Sequence, residues 1–401
     1  MSTEMSKSVS RDVLLSELDP AIESQIAWFH HMQQTQPMRY RPEYNLWELF
    51  LYTDIQQILL DSATFSIGSA LPEGFPCVLA KSDPPEHRLF RSLVSKAFTP
   101  RRVEALTPRL IQMADELLEP AIDKGKMNIA AEFTYQLPVH VIAELLGFPQ
   151  KDRDRFSQWS YELLAQAIGI WTSDNSEVIQ YFSDLLNERK LNPRDDLISG
   201  LLAAEENGTH LTHEQIVHMC LELMTAGNVT TTITLNAVIY RCCQHPEIYQ
   251  ALRADPSLIP GAIEETLRYD FPPNLLWRTA RHDTTFNGHL IKAGQHVVAW
   301  TGAANFDETY FPHSKQFDIR RSPNPHLNFS HGNHSCLGSS LARLEGRITL
   351  ERIIAHFSAI HLDPENPVQY MDQMGSHRIV QSLDILFTPV DRQASQKGQN
   401  G

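Results

Sequence analysis

Cys336 ends a glycine-punctuated loop, Phe329-Ser330-His331-Gly332-Asn333-His334-Ser335-Cys336-Leu337-Gly338. A helical apolar pattern starts directly behind it at Leu341, Leu344, Ile348, Leu350, Ile353 and Ile354. A thiol at a helix N-terminus meets free backbone N–H donors and the positive end of the macrodipole, and both favour thiolate. Gly332 and Gly338 let the backbone turn tightly and let a flat cofactor approach closely. Three chemistries are open to such a cysteine. It can be an axial thiolate for haem iron, where its electron donation promotes O–O cleavage. It can be a nucleophile paired with a histidine base, or a small buried hydrophobe.

Three further groups have spacing that matters. His87 and Arg91, four apart in Asp83-Pro84-Pro85-Glu86-His87-Arg88-Leu89-Phe90-Arg91, share one helix face. They can reach a single anionic group or form a solvated cationic turn. Ala226-Gly227-Asn228-Val229-Thr230-Thr231-Thr232 puts a glycine and three β-branched threonines, all poor helix formers, inside a helical stretch. Their hydroxyls can bond carbonyls one turn back and bend the helix. Glu265-Thr266-Leu267-Arg268 sets an acid and a base three apart, able to meet across one turn. On spacing alone that pair is a surface ion pair of little weight.

Phe-x-x-Gly-x-His-x-Cys-x-Gly fixes five residues in ten, and a chance match in such a chain is on the order of one in ten thousand. The decapeptide resembles the haem-thiolate loop of the cytochrome P-450 family, with Ser330 where glycine is frequent. Matching segments run in order over about residues 40 to 390. The resemblance implies that Cys336 ligates the iron of haem b and that Phe329 and Gly338 help to cradle it. It implies that His87, Arg91, Arg278 and His334 bind the haem propionates, which need cationic partners once buried. Ala226, Gly227 and Thr230 then form the oxygen-binding groove, with the threonine orienting a proton relay. The family usually has an acid just before that threonine, and here the position is Val229. Glu222 lies on nearly the same face but seven residues away, roughly 10 Å along the axis, too far simply to stand in. Glu265 and Arg268 become a buried brace for the haem loop, with His326 or Arg320 as a third member. Phe306 stands where arginine is common.

The implied fold is mainly α with small β-sheets, haem lying between a long central helix and the helix after the cysteine loop. The implied reaction inserts one oxygen atom from O2 into an apolar small molecule such as a terpenoid, steroid, fatty acid or polyketide. Electrons would come from NAD(P)H through a separate ferredoxin and its reductase, since the chain has no flavin or iron–sulfur segment. Lys96, Arg101, Arg102, Arg343 and Arg347 offer a basic docking face for that partner. Candidate pocket segments are 67–80, 163–175, 219–224, 274–276 and 378–380. Val229 keeps open a peroxide-driven or rearranging haem enzyme, and a non-catalytic haem- or ligand-binding protein is a third reading.

The elements that must position these groups follow from periodicity. Thr212 followed by Gln215 is a capping box, and apolar spacing runs from there to about Cys243, where His245-Pro246 ends it. At 1.5 Å per residue that helix spans roughly 48 Å. Helices are expected over 20–33, 54–60 and 260–269, and strands over 44–52 and 381–387. Residues 64–82 read as a loop. Two or three helices fill 103–148 and two more fill 152–188, whose aromatics Phe156, Trp159, Tyr161, Trp171, Tyr181 and Phe182 read as core. In the family the latter region forms a lid over the pocket. Asn287-Gly288 between apolar residues predicts a hairpin.

Composition narrows the setting. The chain has 401 residues, 42% hydrophobic, with no linker or internal repeat, which predicts one domain over 12–391 between disordered ends at 1–11 and 392–401. A net charge of −14 argues against nucleic-acid binding, which needs a basic stripe. Cys77, Cys220, Cys242, Cys243 and Cys336 form no CxxC pair, which suits a reducing compartment. No apolar run approaches the length of a membrane span and Met1 to Asp12 is polar, so a cytoplasmic protein without membrane attachment is expected.

Overall fold

The computed structural model describes residue 14 and residues 21–67, 78–167, 174–270, 275–370 and 380–390. The two ends expected to be disordered lie outside these residues, as do Cys77 and Trp171. One helix, His213–Gln244, runs through the centre for 32 residues. Thr212 Oγ1 accepts the Gln215 N–H at 3.2 Å and the Gln215 side chain accepts the Thr212 N–H at 2.8 Å, so the predicted capping box forms. Its buried residues, among them Ile216, Val217, Met219, Cys220, Leu235, Val238 and Ile239, lie around the cylinder and not along one stripe. A helix apolar all round is one surrounded by protein. It packs against Gln136–Leu145, Arg153–Ala167, Ser176–Leu191, Ile259–Tyr269 and Ser339–His356.

The threonine-rich middle stays helical. The hydroxyls of Thr225, Thr230 and Thr234 donate to the carbonyls of Leu221 (2.9 Å), Ala226 (3.1 Å) and Thr230 (2.9 Å), one turn back in each case. Gly227 lets the Ile142 side chain pack closely against the helix. A Cβ there would meet Ile142 Cδ1 at 2.6 Å.

The expected strand over 44–52 is shorter, Leu46–Leu49, because Pro42–Tyr44 is a 3-10 turn and Tyr52 opens the helix Tyr52–Leu60. The Tyr52 N–H donates to Asp307 Oδ2 at 3.0 Å, which takes it out of any strand ladder. Leu46–Leu49 pairs antiparallel with Met38–Arg41 and parallel with His296–Ala299; Leu276–Ala280 and Phe65–Ser66 complete that five-stranded sheet. Asn287 (φ 47°) and Gly288 (φ 79°) turn the predicted hairpin between Thr284–Phe286 and His289–Ile291. Val380–Ser382 and Asp384–Pro389 share the strand expected near the C-terminus, the latter pairing with Lys126–Asn128 and Phe357–Leu362. Phe148, Phe156, Trp159 and Phe182 are buried together with half-buried Tyr181, in keeping with a core role, while Tyr161 is exposed.

Candidate active site

A cavity of about 240 Å³ separates the central helix from Ser339–His356. The helix lines it with Met219, Glu222, Leu223, Ala226, Gly227, Thr230 and Thr231, and the opposite wall has Phe329, His334, Cys336, Gly338, Leu341 and Glu345. His87 and Arg91 close one edge. Of the expected site residues only Arg278 lies outside this lining, and it is near enough to act on the charge of His334.

The Cys336 N–H donates to the Phe329 carbonyl at 2.8 Å, which closes the loop. Cys336 is exposed because it opens onto the cavity, although protein crowds it on the other sides. That burial pushes the thiol pKa up, against the opposing pull of the Gly338 N–H, the guanidiniums of Arg91 and Arg343, and the Ser339 N–H. The helix-terminus donors expected from sequence are therefore present, but desolvation outweighs them; a coordinated metal ion would fix the thiolate outright. Among the described residues no hydrogen bond joins the Cys336 thiol to a histidine, and the His334 ring faces His87 with 4.1 Å between centroids. A nucleophile–base pair is not built here. Among the described residues no group of three or more His, Cys, Asp or Glu could hold a metal ion, so a metal on Cys336 would take its other ligands from a non-protein group.

The basic residues at this edge test whether that group can be haem. His87 is buried with neither ring nitrogen hydrogen-bonded; Arg278 is 3% exposed, with Nη1 on the Trp277 carbonyl (2.7 Å) and Nη2 unpartnered. His334 Nε2 is buried and unpartnered as well. Burial, reinforced by His87 and Arg278, drives the His334 pKa down to about 4, and burial lowers Arg278 to about 10. Buried donors without acceptors are costly unless something anionic meets them. Gly338 has φ −83° and a Cβ there would meet no protein atom within 4 Å, so neither backbone nor neighbours demand a glycine. Its flatness serves the cavity. The residues present fit a planar dicarboxylate bound through one thiolate, as haem is.

Ser330 has φ 60°, a left-handed conformation that explains why glycine is frequent at this place in the loop. The brace is buried as expected: Arg268 Nε and Nη2 each reach Glu265 at 2.8 Å, with both side chains at zero exposure. Its third member is Arg321, whose Nε lies 3.1 Å from Glu265 Oε2, and not His326 or Arg320. His326 instead bonds Glu264 Oε2 at 3.1 Å, and the Arg320 N–H bonds Asp318. Phe306, at the position where arginine is common, puts its ring 5.2 Å from the Arg268 guanidinium.

Of the candidate pocket segments, Ile67, Leu79, Ala80, Met219, Glu222 and Leu223 line the cavity; residues 68–77, 168–173, 274 and 378–379 lie outside the described residues. Ile142, Phe98 and Glu345 line it without any sequence motif. Glu345 is fully buried with both oxygens unpartnered, and burial pushes its carboxyl far above the usual range. The available signal was an acid four residues after Leu341 and three before Ile348, on an apolar helix face.

The cytochrome P-450 family profile matches residues 140–384. The chain is 38% identical over 365 residues to the cyclomarin C epoxidase CymV of Salinispora arenicola, covering 87% of this chain and 92% of that one. It is 36% identical over 369 residues to the mycinamicin IV hydroxylase/epoxidase of Micromonospora griseorubida, covering 86% and 91%. Among solved structures, CYP109E1 from Bacillus megaterium in complex with testosterone aligns with a TM-score of 0.82 at 33% identity, covering 90% of this chain and 98% of that one. A thiol facing a cavity edged by buried, unpartnered nitrogens thus sits in a chain alike along most of its length to enzymes of one kind: it belongs to the cytochrome P-450 family of monooxygenases, with haem b as cofactor.

Proposed function

We propose that Cys336 Sγ would ligate the haem iron and that His87, Arg91, Arg278 and His334 would hold the propionates. The observation that carries this is a set of buried, unpartnered nitrogens: those of His87 and His334 on the cavity that Cys336 faces, and Nη2 of Arg278, close enough to act on the charge of His334. Haem bound there supplies activation of O2 for transfer of one oxygen atom to a substrate. The chain's own residues do the rest. Ala226 and Gly227 keep the helix wall low, and Thr230, exposed to the cavity, offers a hydroxyl that leaves the Ala226 carbonyl to orient a proton. The side chains of Ile67, Leu79, Ala80, Ile142, Met219 and Leu223 make much of the lining apolar and suit an apolar terpenoid, steroid, fatty acid or polyketide-like substrate. The named relatives, a cyclomarin C epoxidase and a mycinamicin IV hydroxylase/epoxidase, and the testosterone complex support that range.

Electrons come from NAD(P)H through a separate ferredoxin and reductase that dock on the Cys336 side. Four of the five basic residues proposed for docking are paired with acids: Lys96 with Glu206, Arg102 with Asp195, Arg343 with Glu264 and Arg347 with Glu104. The docking field is correspondingly weaker than the sequence suggests, with Arg101 exposed at its edge.

Val229 favours a second reading, a peroxide-fed or water-fed route to protons. Glu222 does not replace the missing acid, because its carboxylate is taken by backbone N–H groups of residues 78–80. Turnover with NAD(P)H and a surrogate ferredoxin system, set beside hydrogen peroxide alone, tests both in the wild type and in Val229→Glu. Proton delivery by a placed acid is worth ~100-fold or more, so Val229→Glu should raise coupled turnover if protons limit. Efficient NADPH-driven turnover in the wild type that falls in the variant refutes the second reading. A reduced, carbon-monoxide-treated wild type without the red-shifted Soret band of thiolate ligation refutes the first.

A further inference from the structure

Among the described residues, Glu222 is the one charged side chain that the central helix brings to the cavity. Its neighbours on that face of the central helix, Met219, Leu223 and Ala226, line the same cavity and carry no charge. Its carboxylate accepts three consecutive backbone N–H groups from a distant part of the chain: Val78 and Leu79 on Oε2, both at 2.9 Å, and Ala80 on Oε1 at 2.8 Å. Successive N–H groups converging in this way form an anion-binding concavity. Among the described residues, the hydrogen bonds that join Val78–Ala80 to the central helix all end on Glu222. The far side of the same turn is held separately. Ser82 Oγ donates to the Leu79 carbonyl at 3.1 Å, and Asp83 takes Arg281 at 2.6 Å and the Ser66 hydroxyl.

Leu79 and Ala80 are themselves part of the cavity lining. The wall they form is therefore seated by charge and not by apolar packing alone. Neither half is stable without the other: an unmet carboxylate beside an apolar cavity is costly, and so are three half-buried N–H groups without an acceptor. We propose that Glu222 is a positioning residue that sets substrate size selection, by pinning residues 78–80 against the central helix and so fixing where Leu79 meets the substrate. This rests on the reading that the cavity is the haem-side substrate pocket.

The test uses the holoenzyme and its Glu222→Ala, Glu222→Gln and Glu222→Asp variants, with two azole probes and hydrogen exchange of the peptide containing 78–80. Imidazole is small and reports the iron; 4-phenylimidazole extends to the wall. In Glu222→Ala the 78–80 amides should exchange faster, and the Kd of 4-phenylimidazole should rise about tenfold with the lost Leu79 contact while that of imidazole stays within about twofold. Glu222→Gln should fall between wild type and Glu222→Ala, because its amide oxygen can still accept two of the three N–H groups while its amide nitrogen cannot accept the third. Glu222→Asp keeps the carboxylate and should recover most of the 4-phenylimidazole affinity. Unchanged amide exchange in Glu222→Ala overturns the proposal. So does an equal loss of affinity for both azoles, or a Glu222→Gln variant indistinguishable from wild type. If imidazole gives no spectral shift even in the wild type, the haem reading of the cavity fails, and the proposal falls with it.

Discussion

Removing the charge of Arg278 should move the apoprotein and the holoenzyme in opposite directions. The side chain is 3% exposed, Nη1 has only the Trp277 carbonyl and Nη2 has no partner. Burial lowers its pKa from 12.5 to about 10, with Asp83 pulling the other way. The folded value lies below the unfolded one, so the penalty is fully present at pH 7 and fades only as pH rises past 10. At about 1.4 kcal/mol for each tenfold change in acidity, the apoprotein carries this charge at a cost of about 3 kcal/mol. Arg278→Met keeps the stem, drops the charge and loses one hydrogen bond worth about 1 kcal/mol, for a net gain of about 2 kcal/mol in the apoprotein. With haem bound, the same change removes a charge-assisted hydrogen bond worth about 1.5–3 kcal/mol, which speeds haem loss roughly ten- to a hundredfold. Urea unfolding of the apoproteins measures the first effect, and haem transfer to excess apomyoglobin, followed at the Soret band, measures the second. A destabilised variant apoprotein, or haem transfer at the wild-type rate, would refute the assignment of Arg278 to a propionate.

Two other outcomes follow from the surroundings of the loop. Ser330→Gly relieves a left-handed φ of 60° and removes a buried, unpartnered hydroxyl, so the holoenzyme should gain about 1 kcal/mol in chemical unfolding; a loss would show that the serine makes a bond worth more than the strain. Burial raises the Glu264 pKa, but hydrogen bonds from Arg343 (2.6 and 2.9 Å) and His326 outweigh it and bring it down to about 2. A depressed carboxylate stabilises above its unfolded value near 4.5 and loses that contribution as pH falls towards 2. Discounted for partial exposure the effect is about 1–2 kcal/mol, and Arg343→Ala should shift the acid-unfolding midpoint, followed by circular dichroism, to higher pH. An unchanged midpoint would mean the pair is inert.

What could be read from the chain was what neighbouring residues decide among themselves. The Thr212–Gln215 cap, the Asn287-Gly288 turn, the ends of the central helix and the Cys336 loop each involve residues only a few places apart. Contacts made by folding could not be read the same way. The sequence pointed to His326 or Arg320 as the third member of the Glu265 brace, and the path of the backbone brings Arg321 there instead. Glu222 meets amides more than 140 residues away, and Gly227 answers to Ile142 in another helix. The Cys336 thiol shows the same division: donors at the helix start were legible from spacing, but the crowding that outweighs them is a property of the assembled core.

The parallel pairing of Leu46–Leu49 with His296–Ala299 has a consequence for biosynthesis. Leu46 and Leu49 have no exposure in the finished protein, yet their partner strand leaves the ribosome some 250 residues later. At translation rates of about 5–20 residues per second, this segment waits roughly 10–50 s with an open apolar edge. The nascent chain is thus a natural client for holding chaperones, and slow synthesis or premature termination before Ala299 should send it to aggregates or proteases, leaving no smaller folded fragment.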